Sequence, residues 1–226
     1  MSLATILWDA GGVIYGFDQT KCDRKLAADC GHTPEEVSTM LFGGSAQGKE
    51  YNAGLVEALN LGKINPKMFY DFVKERLGLS MPYEKFAEAW SDIFTLNNEI
   101  VHYMGLAQRL GVKQGVLSST NPLHWRKMNS IFDLEELLGK NNVMCTFHRD
   151  AGYKKPAPQL FDAALRRLEC TKEETVYVDD VEKYVKAAQE YGMGDALHVD
   201  NAQENFQRKC IISLQQRGFP TLYGET

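Results

Sequence analysis

Five apolar runs, each four residues long and most of them closed by polar or small residues, constrain this chain more than any other feature. They lie at 5–8, 114–117, 142–145, 175–178 and 196–199. Runs so short and so continuously apolar suit strands buried on both faces, where polar alternation is not needed. Between the later runs lie helical patterns. Positions 99–110 place Ile100, Tyr103, Met104, Ala107 and Leu110 on one stripe. Positions 158–168 do the same with Leu160, Phe161, Ala164, Leu165 and Leu168, and 181–191 continues the alternation. Strands alternating with helices imply right-handed crossovers and a doubly wound, Rossmann-like parallel α/β sheet.

The stretch from Gly16 to about Trp90 has another character. Helical segments are expected near 19–30, 34–42, 51–61, 66–77 and 83–94, with no strand among them. Thr33–Pro34 and Asn65–Pro66 have the form of an N-cap followed by proline at the first helical position, and Gly31, Gly62 and Gly78 fall where helices should stop. The expected organisation is an α/β core made of 1–15 and 96–226, with a small helical domain inserted at 16–95. A chain of 226 residues is long enough for that arrangement.

Charge narrows the function classes. The formal net charge of -5 leaves no basic footprint for nucleic acid. No apolar stretch reaches the length of a membrane helix, and Met1–Ala10 lacks a basic, then apolar, secretory pattern. The five cysteines (Cys22, Cys30, Cys145, Cys170, Cys210) are odd in number and form no CxxC pair. Reduced thiols in a cytoplasmic protein are expected.

The chemical candidates cluster at the ends of the proposed strands, where open α/β sheets bind ligands. Asp9 follows the first run, Ser118-Ser119-Thr120 the second and Asp179-Asp180 the fourth, while Lys155-Pro156 precedes a helix. A carboxylate can attack a phosphoryl group. Repulsion between the two requires a cation, and several acidic oxygens on one rim suit Mg²⁺. Gly11-Gly12 permits close backbone approach. Ser118 can hold a phosphate oxygen, and Lys155 can neutralise charge. Singly, each of these residues reads as a turn, a helix cap or a solvated lysine; the constellation is what points to chemistry.

Four segments resemble, in order, the four motifs of the haloacid dehalogenase-like superfamily: WDAGGV at 8–13, VLSSTN at 116–121, GYKKPAPQLF at 152–161 and VYVDD at 176–180. The helical insert is similar to the family's C1-type cap, and the chain looks most like the branch of sugar phosphatases related to alpha-glucose-1-phosphatases. The resemblance implies Asp9 as nucleophile and metal ligand, the Gly11 carbonyl and Asp180 as further ligands, and Asp179 as ligand or support. It implies Ser118 and the Ser119 N–H as holders of the phosphoryl group, and Lys155 rather than Lys154 as the bridging cation. The implied activity is Mg²⁺-dependent hydrolysis of a small phosphorylated metabolite, a sugar phosphate among the candidates, by a monomer or homodimer.

One position departs from the pattern. Most phosphatases of the superfamily carry a second aspartate two residues after the nucleophile, as acid and base, where this chain has Gly11. A catalytically weak phosphoryl-binding or regulatory protein is therefore the alternative, with a metal-free haloacid dehalogenase behind it. His124, His148 and His198 lack ligand spacing and read as structural, although His124-Trp125 follows the second motif closely enough to face a substrate. Tyr15, Phe17, Met40, Phe42, Trp90 and Phe94 are expected to fill the core of the insert.

Overall fold

The structure is a computed structural model that describes residues 3–43, 54–148 and 152–221. Its main sheet has five parallel strands: β1 (Thr5–Trp8), β4 (Lys113–Ser118), β5 (Val143–Cys145), β6 (Thr175–Asp179) and β7 (Asp195–His198). The order across the sheet is β5-β4-β1-β6-β7, so the chain builds outward from β1 in one direction and then returns to build in the other. That reversal opens a crevice at the carboxyl ends of β1, β4 and β6. The register aligns those ends: Trp8 faces Val116 on one side and Val178 on the other.

Both faces of the sheet are covered, which explains the continuous apolar runs. Ile6, Trp8, Val116, Val176 and Val178 pack on α6 (Asn98–Arg109) and α11 (Phe206–Gln216). Alternate residues Leu7, Leu117, Met144 and Tyr177 pack on α9 (Pro158–Leu168) and α10 (Glu182–Tyr191). Each fully buried aliphatic or aromatic side chain contributes about 1.5–3 kcal/mol. The stripe expected on α6 buries Ile100, Tyr103, Met104 and Ala107, but Leu110 is 60% exposed because the helix ends one residue earlier.

Between β1 and α6 lies a separate helical cluster: α1 (Gln19–Cys30), α2 (Pro34–Phe42), α3 (Gly54–Asn60), α4 (Pro66–Leu77) and α5 (Tyr83–Ser91). Residues 51–53 of the expected third helix lie outside the described residues. Thr33 caps α2 with a reciprocal bond to Glu36, and Asn65 caps α4 through its side chain. Leu26, Val37, Leu41, Phe69, Val73, Phe86 and Trp90 form the cluster's own core.

Two short strands join cluster and sheet domain. β2 (Tyr15–Phe17) pairs antiparallel with β3 (Phe94–Leu96), Gly16 opposite Thr95. The expectations of no strand after Gly16, and of a helix running to Phe94, both fail here. Helix α5 stops at Ser91, and Phe94 leaves it to pair with a segment 77 residues away in sequence. A three-residue strand shows no periodicity of its own, and pairing rather than propensity makes it. Among the described residues no helix is long and apolar enough to cross a membrane. Cys22, Cys30, Cys145, Cys170 and Cys210 are all free.

Candidate active site

At Asp9 the chain leaves β1, and the Asp9 N–H still donates to the Val178 carbonyl at 2.8 Å, continuing the sheet by one residue. A tight turn follows, with Ile14 N–H and Tyr15 N–H both donating to the Ala10 carbonyl. Gly12 occupies the left-handed region at φ 88°. A Cβ there would lie 2.4 Å from the Asp180 carboxyl carbon, so only glycine lets this turn rest against Asp180. Gly11 differs: its φ is ordinary, and an added Cβ would meet only the Phe17 ring, at 3.8 Å.

Four charged groups meet above the strand ends, all nearly inaccessible: Asp9 is 7% exposed, Lys155 3%, Asp179 0% and Asp180 5%. The Lys155 Nζ donates to Asp9 Oδ1 at 2.6 Å and to Asp179 Oδ2 at 2.9 Å. Asp179 also accepts from the Tyr177 hydroxyl and, at 2.7 Å, from the Val181 N–H. Both of its oxygens thus carry donors, and it acts as a clamp on the lysine. Asp180 accepts from Asn201 Nδ2 at 2.9 Å, the same amide reaching the Gly12 carbonyl at 3.3 Å. Carboxylate oxygens of Asp9, Asp179 and Asp180 lie within 4.8 Å of one another.

The electrostatics follow from three neighbouring carboxylates and one ammonium, which binds two of them. Burial raises the Asp9 carboxyl well above its usual range; Lys155 opposes this, and Asp179 and Asp180 reinforce it. Burial alone would weaken the Lys155 ammonium, but Asp179 and Asp9 outweigh it and hold the charge firmly. The group therefore carries surplus negative charge that a cation would offset.

Ser118, the last residue of β4, is buried; Ser119 beside it is exposed. With Gly11 they line a cavity of about 540 Å³, space open to solvent included. Lys154, by contrast, turns away to Glu57 of α3 at 3.2 Å. The remaining walls come from the helical cluster, from the β2–β3 ribbon and from α7 (Pro122–Ile131). Phe17, Phe42, Trp90 and Phe94 line this cavity, which corrects the expectation that they serve only the insert's core. Phe42 and Trp90 do both. Tyr15 instead joins the sheet-domain core, its hydroxyl donating to the Met128 and Phe132 carbonyls.

Of the histidines, His124 lines the cavity. Burial pushes it down to about 4, against the Trp90 carbonyl that it hydrogen-bonds at 3.1 Å. Trp125 is turned inward, its indole N–H donating to Glu135 at 2.8 Å. His148 Nδ1 accepts from the Cys145 N–H, and His198 Nε2 lies 3.0 Å from the Asp180 carbonyl. Sequence reasoning missed Asn201, Tyr177, Asn60 and Gln19. Asn201 was within reach, since it lies two residues past the last apolar run.

Residues 3–192 match the model of a hydrolase family described as haloacid dehalogenase-like hydrolase. A D-ribitol-5-phosphate phosphatase from Bacteroides thetaiotaomicron is 25% identical over 216 residues, spanning 93% of this chain and 98% of that enzyme. A haloacid dehalogenase family enzyme from the same organism, crystallised with magnesium and inorganic phosphate, superposes with a TM-score of 0.71 at 19% identity, over 90% of this chain and 98% of that one. A HAD-like family hydrolase from Porphyromonas gingivalis gives 0.73 at 20% identity, over 95% and 99%.

Proposed function

The chain belongs to the haloacid dehalogenase-like hydrolases, and on that footing we propose that it is a phosphatase acting on a small phosphorylated metabolite through Asp9. The observation that carries this reading is the grouping of Asp9, Asp179 and Asp180, with a single lysine bound to the first two. A dehalogenase attacking carbon has no use for such surplus negative charge. The relative's substrate, a phosphorylated sugar alcohol, and the aromatic and amide lining of the cavity support a sugar phosphate as the metabolite.

The donor set fits Mg²⁺, since every group is an oxygen and the negative charge exceeds what Lys155 offsets. Asp9, Asp180 and the Gly11 carbonyl would hold the ion, with Asp179 supporting from behind through its hold on Lys155. Bound there, the ion would shield the phosphate from the attacking carboxylate. Asp9 attacks phosphorus to form an aspartyl-phosphate. Lys155 keeps the other Asp9 oxygen oriented, and Ser118 with the Ser119 N–H holds phosphoryl oxygens. The parts we assign are a core of 1–15 and 96–226 and a cap of 16–95, the cavity lying where they meet. Phosphate release from a panel of phosphorylated metabolites, with and without Mg²⁺, tests the reading. Mg²⁺-dependent turnover is expected; phosphate binding without turnover would instead mark a phosphoryl-binding protein.

A further inference from the structure

The last residue of α3, Asn60, is bonded to the sheet domain through both its backbone and its side chain. Its carbonyl accepts from the Thr146 hydroxyl at 2.8 Å, and the same hydroxyl lies 3.3 Å from the Thr120 carbonyl. The Thr146 N–H in turn donates to the Ser118 carbonyl at 3.0 Å. Two residues past Asn60, Gly62 rests so close to the Phe147 carbonyl that a Cβ would lie 2.6 Å from its oxygen. These contacts fix Asn60 with respect to Ser118 and Ser119, and all three line the cavity.

A chain of obligatory donors and acceptors orients the Asn60 side chain, and Asn121 begins it. The Asn121 Oδ1 accepts from the Leu123 and His124 N–H groups at 3.1 and 3.0 Å, and only the oxygen of an amide can do that. Its Nδ2 must then point the other way, where it reaches Asn60 Oδ1 at 3.2 Å and His124 Nδ1 at 3.1 Å. A donor at that position admits only the oxygen of Asn60. The Asn60 Nδ2 is therefore turned off Asn121, and it is the edge of the amide left for the cavity. Holding α3 to α7 needs only an acceptor at position 60. The nitrogen is surplus to that task.

Resting on the phosphatase reading, we propose that Asn60 is a substrate-binding residue supplied by the helical insert: its Nδ2 donates to an oxygen of the bound ester. Asn121 is the positioning residue that decides which end of the amide the ester meets. The acceptor is a phosphoryl oxygen or a hydroxyl oxygen of the alcohol part, since both offer lone pairs to a neutral N–H.

Asn60→Asp separates this role from a purely structural one. A carboxylate still accepts from Asn121 Nδ2, so thermal melting should stay close to that of the unmodified protein. The donor, however, becomes a second acceptor carrying charge. KM for the phosphate esters should rise ~10–100-fold, with kcat changed far less. Asn121→Asp reaches the same end without touching the ester. It keeps the cap of α7, and its carboxylate demands a donor, so the Asn60 amide turns over and offers oxygen to the cavity. KM should then rise ~3–10-fold. Competitive inhibition by inorganic phosphate locates the acceptor: weakening in step with KM marks a phosphoryl oxygen, and unchanged inhibition marks a hydroxyl of the alcohol part. If both variants keep the KM of the unmodified protein, with Mg²⁺-dependent release intact, the inference is overturned and the phosphatase reading stands. Absence of Mg²⁺-dependent release from every ester by the unmodified protein would refute both.

Discussion

Adjacent glycines at 11 and 12 should respond in opposite directions to the same methyl group. At Gly12 the added carbon would stand 2.4 Å from both the carboxyl carbon and Oδ2 of Asp180, and 2.8 Å from Asn201 Nδ2. A non-glycine residue at φ 88° costs about 1–3 kcal/mol. Moving Asp180 off Asn201 forfeits a hydrogen bond to a charged group, about 1.5–3 kcal/mol more. Gly12→Ala should therefore lose about 3–6 kcal/mol, which for a chain of this size lowers Tm on the order of 10 °C. At Gly11 the methyl group meets only Phe17 ring carbons at 3.8 and 3.9 Å, an ordinary contact. Gly11→Ala should gain about 0.4–1 kcal/mol by restricting the unfolded chain. Thermal and urea unfolding of both variants, each with and without Mg²⁺, supply the comparison. Gly12→Ala should also lose most of the stabilisation by Mg²⁺, because Asp180 is displaced. Equal melting of the two variants, with equal response to Mg²⁺, would refute the argument that Gly12 is the seat of Asp180.

Other outcomes follow from the same geometry. Asp9→Asn keeps the shape and removes the attacking charge, so kcat should fall by several orders of magnitude; undiminished Mg²⁺-dependent phosphate release would contradict the assignment. Lys155→Gln strips the buried carboxylates of their cation and should cost about 3–5 kcal/mol at pH 7, with part of the loss recovered in urea melts at pH 5 as Asp9 takes up a proton. In metal-free protein the raised Asp9 favours folding below its ordinary value of 3.8, and that contribution is lost as pH rises through the raised value. Metal-free stability should therefore fall across that window and Mg²⁺ should abolish the fall; a metal-free protein that stabilises over the same range would disprove it. Asn121→Ala removes the cap of α7 and the donor to His124, so it should lower stability by about 1–2 kcal/mol in thermal melts.

The parallel sheet was legible because burial on both faces leaves strands uninterruptedly apolar, a signal that survives in runs of four residues. Helix starts at Thr33 and Asn65 were legible because capping is local chemistry. The carboxylates are legible from strand ends, and Lys155 from its loop before a helix and the family resemblance; the structure brings Asp9, Lys155, Asp179 and Asp180 together. What escaped depends on distant partners. Strands β2 and β3 exist through each other, and Phe94 looked helical until that pairing was seen. The cavity walls escaped for a related reason. A phenylalanine facing a substrate and one facing a core have the same hydropathy, so Phe17 and Trp90 could not be told apart from filling. Asn60 belongs to the helical cluster yet meets Asn121 of α7 at 3.2 Å, a meeting that local sequence does not encode.

The antiparallel pairing of Tyr15–Phe17 with Phe94–Leu96 has a consequence for how such a chain can be rebuilt. The chain departs from the sheet domain and comes back to it at the same place, so to the sheet domain everything from Asp18 to Ile93 is one closed excursion. Its length barely affects closure entropy, which grows only with the logarithm of loop length. The two strands are already a hairpin lacking its turn, and a two-residue Asn-Gly link could supply one. Helices could be exchanged, lengthened or deleted at that junction without disturbing the β1–β4 and β1–β6 ladders that position Asp9. The ribbon is in effect a socket, and the walls of the cavity are the part that unplugs.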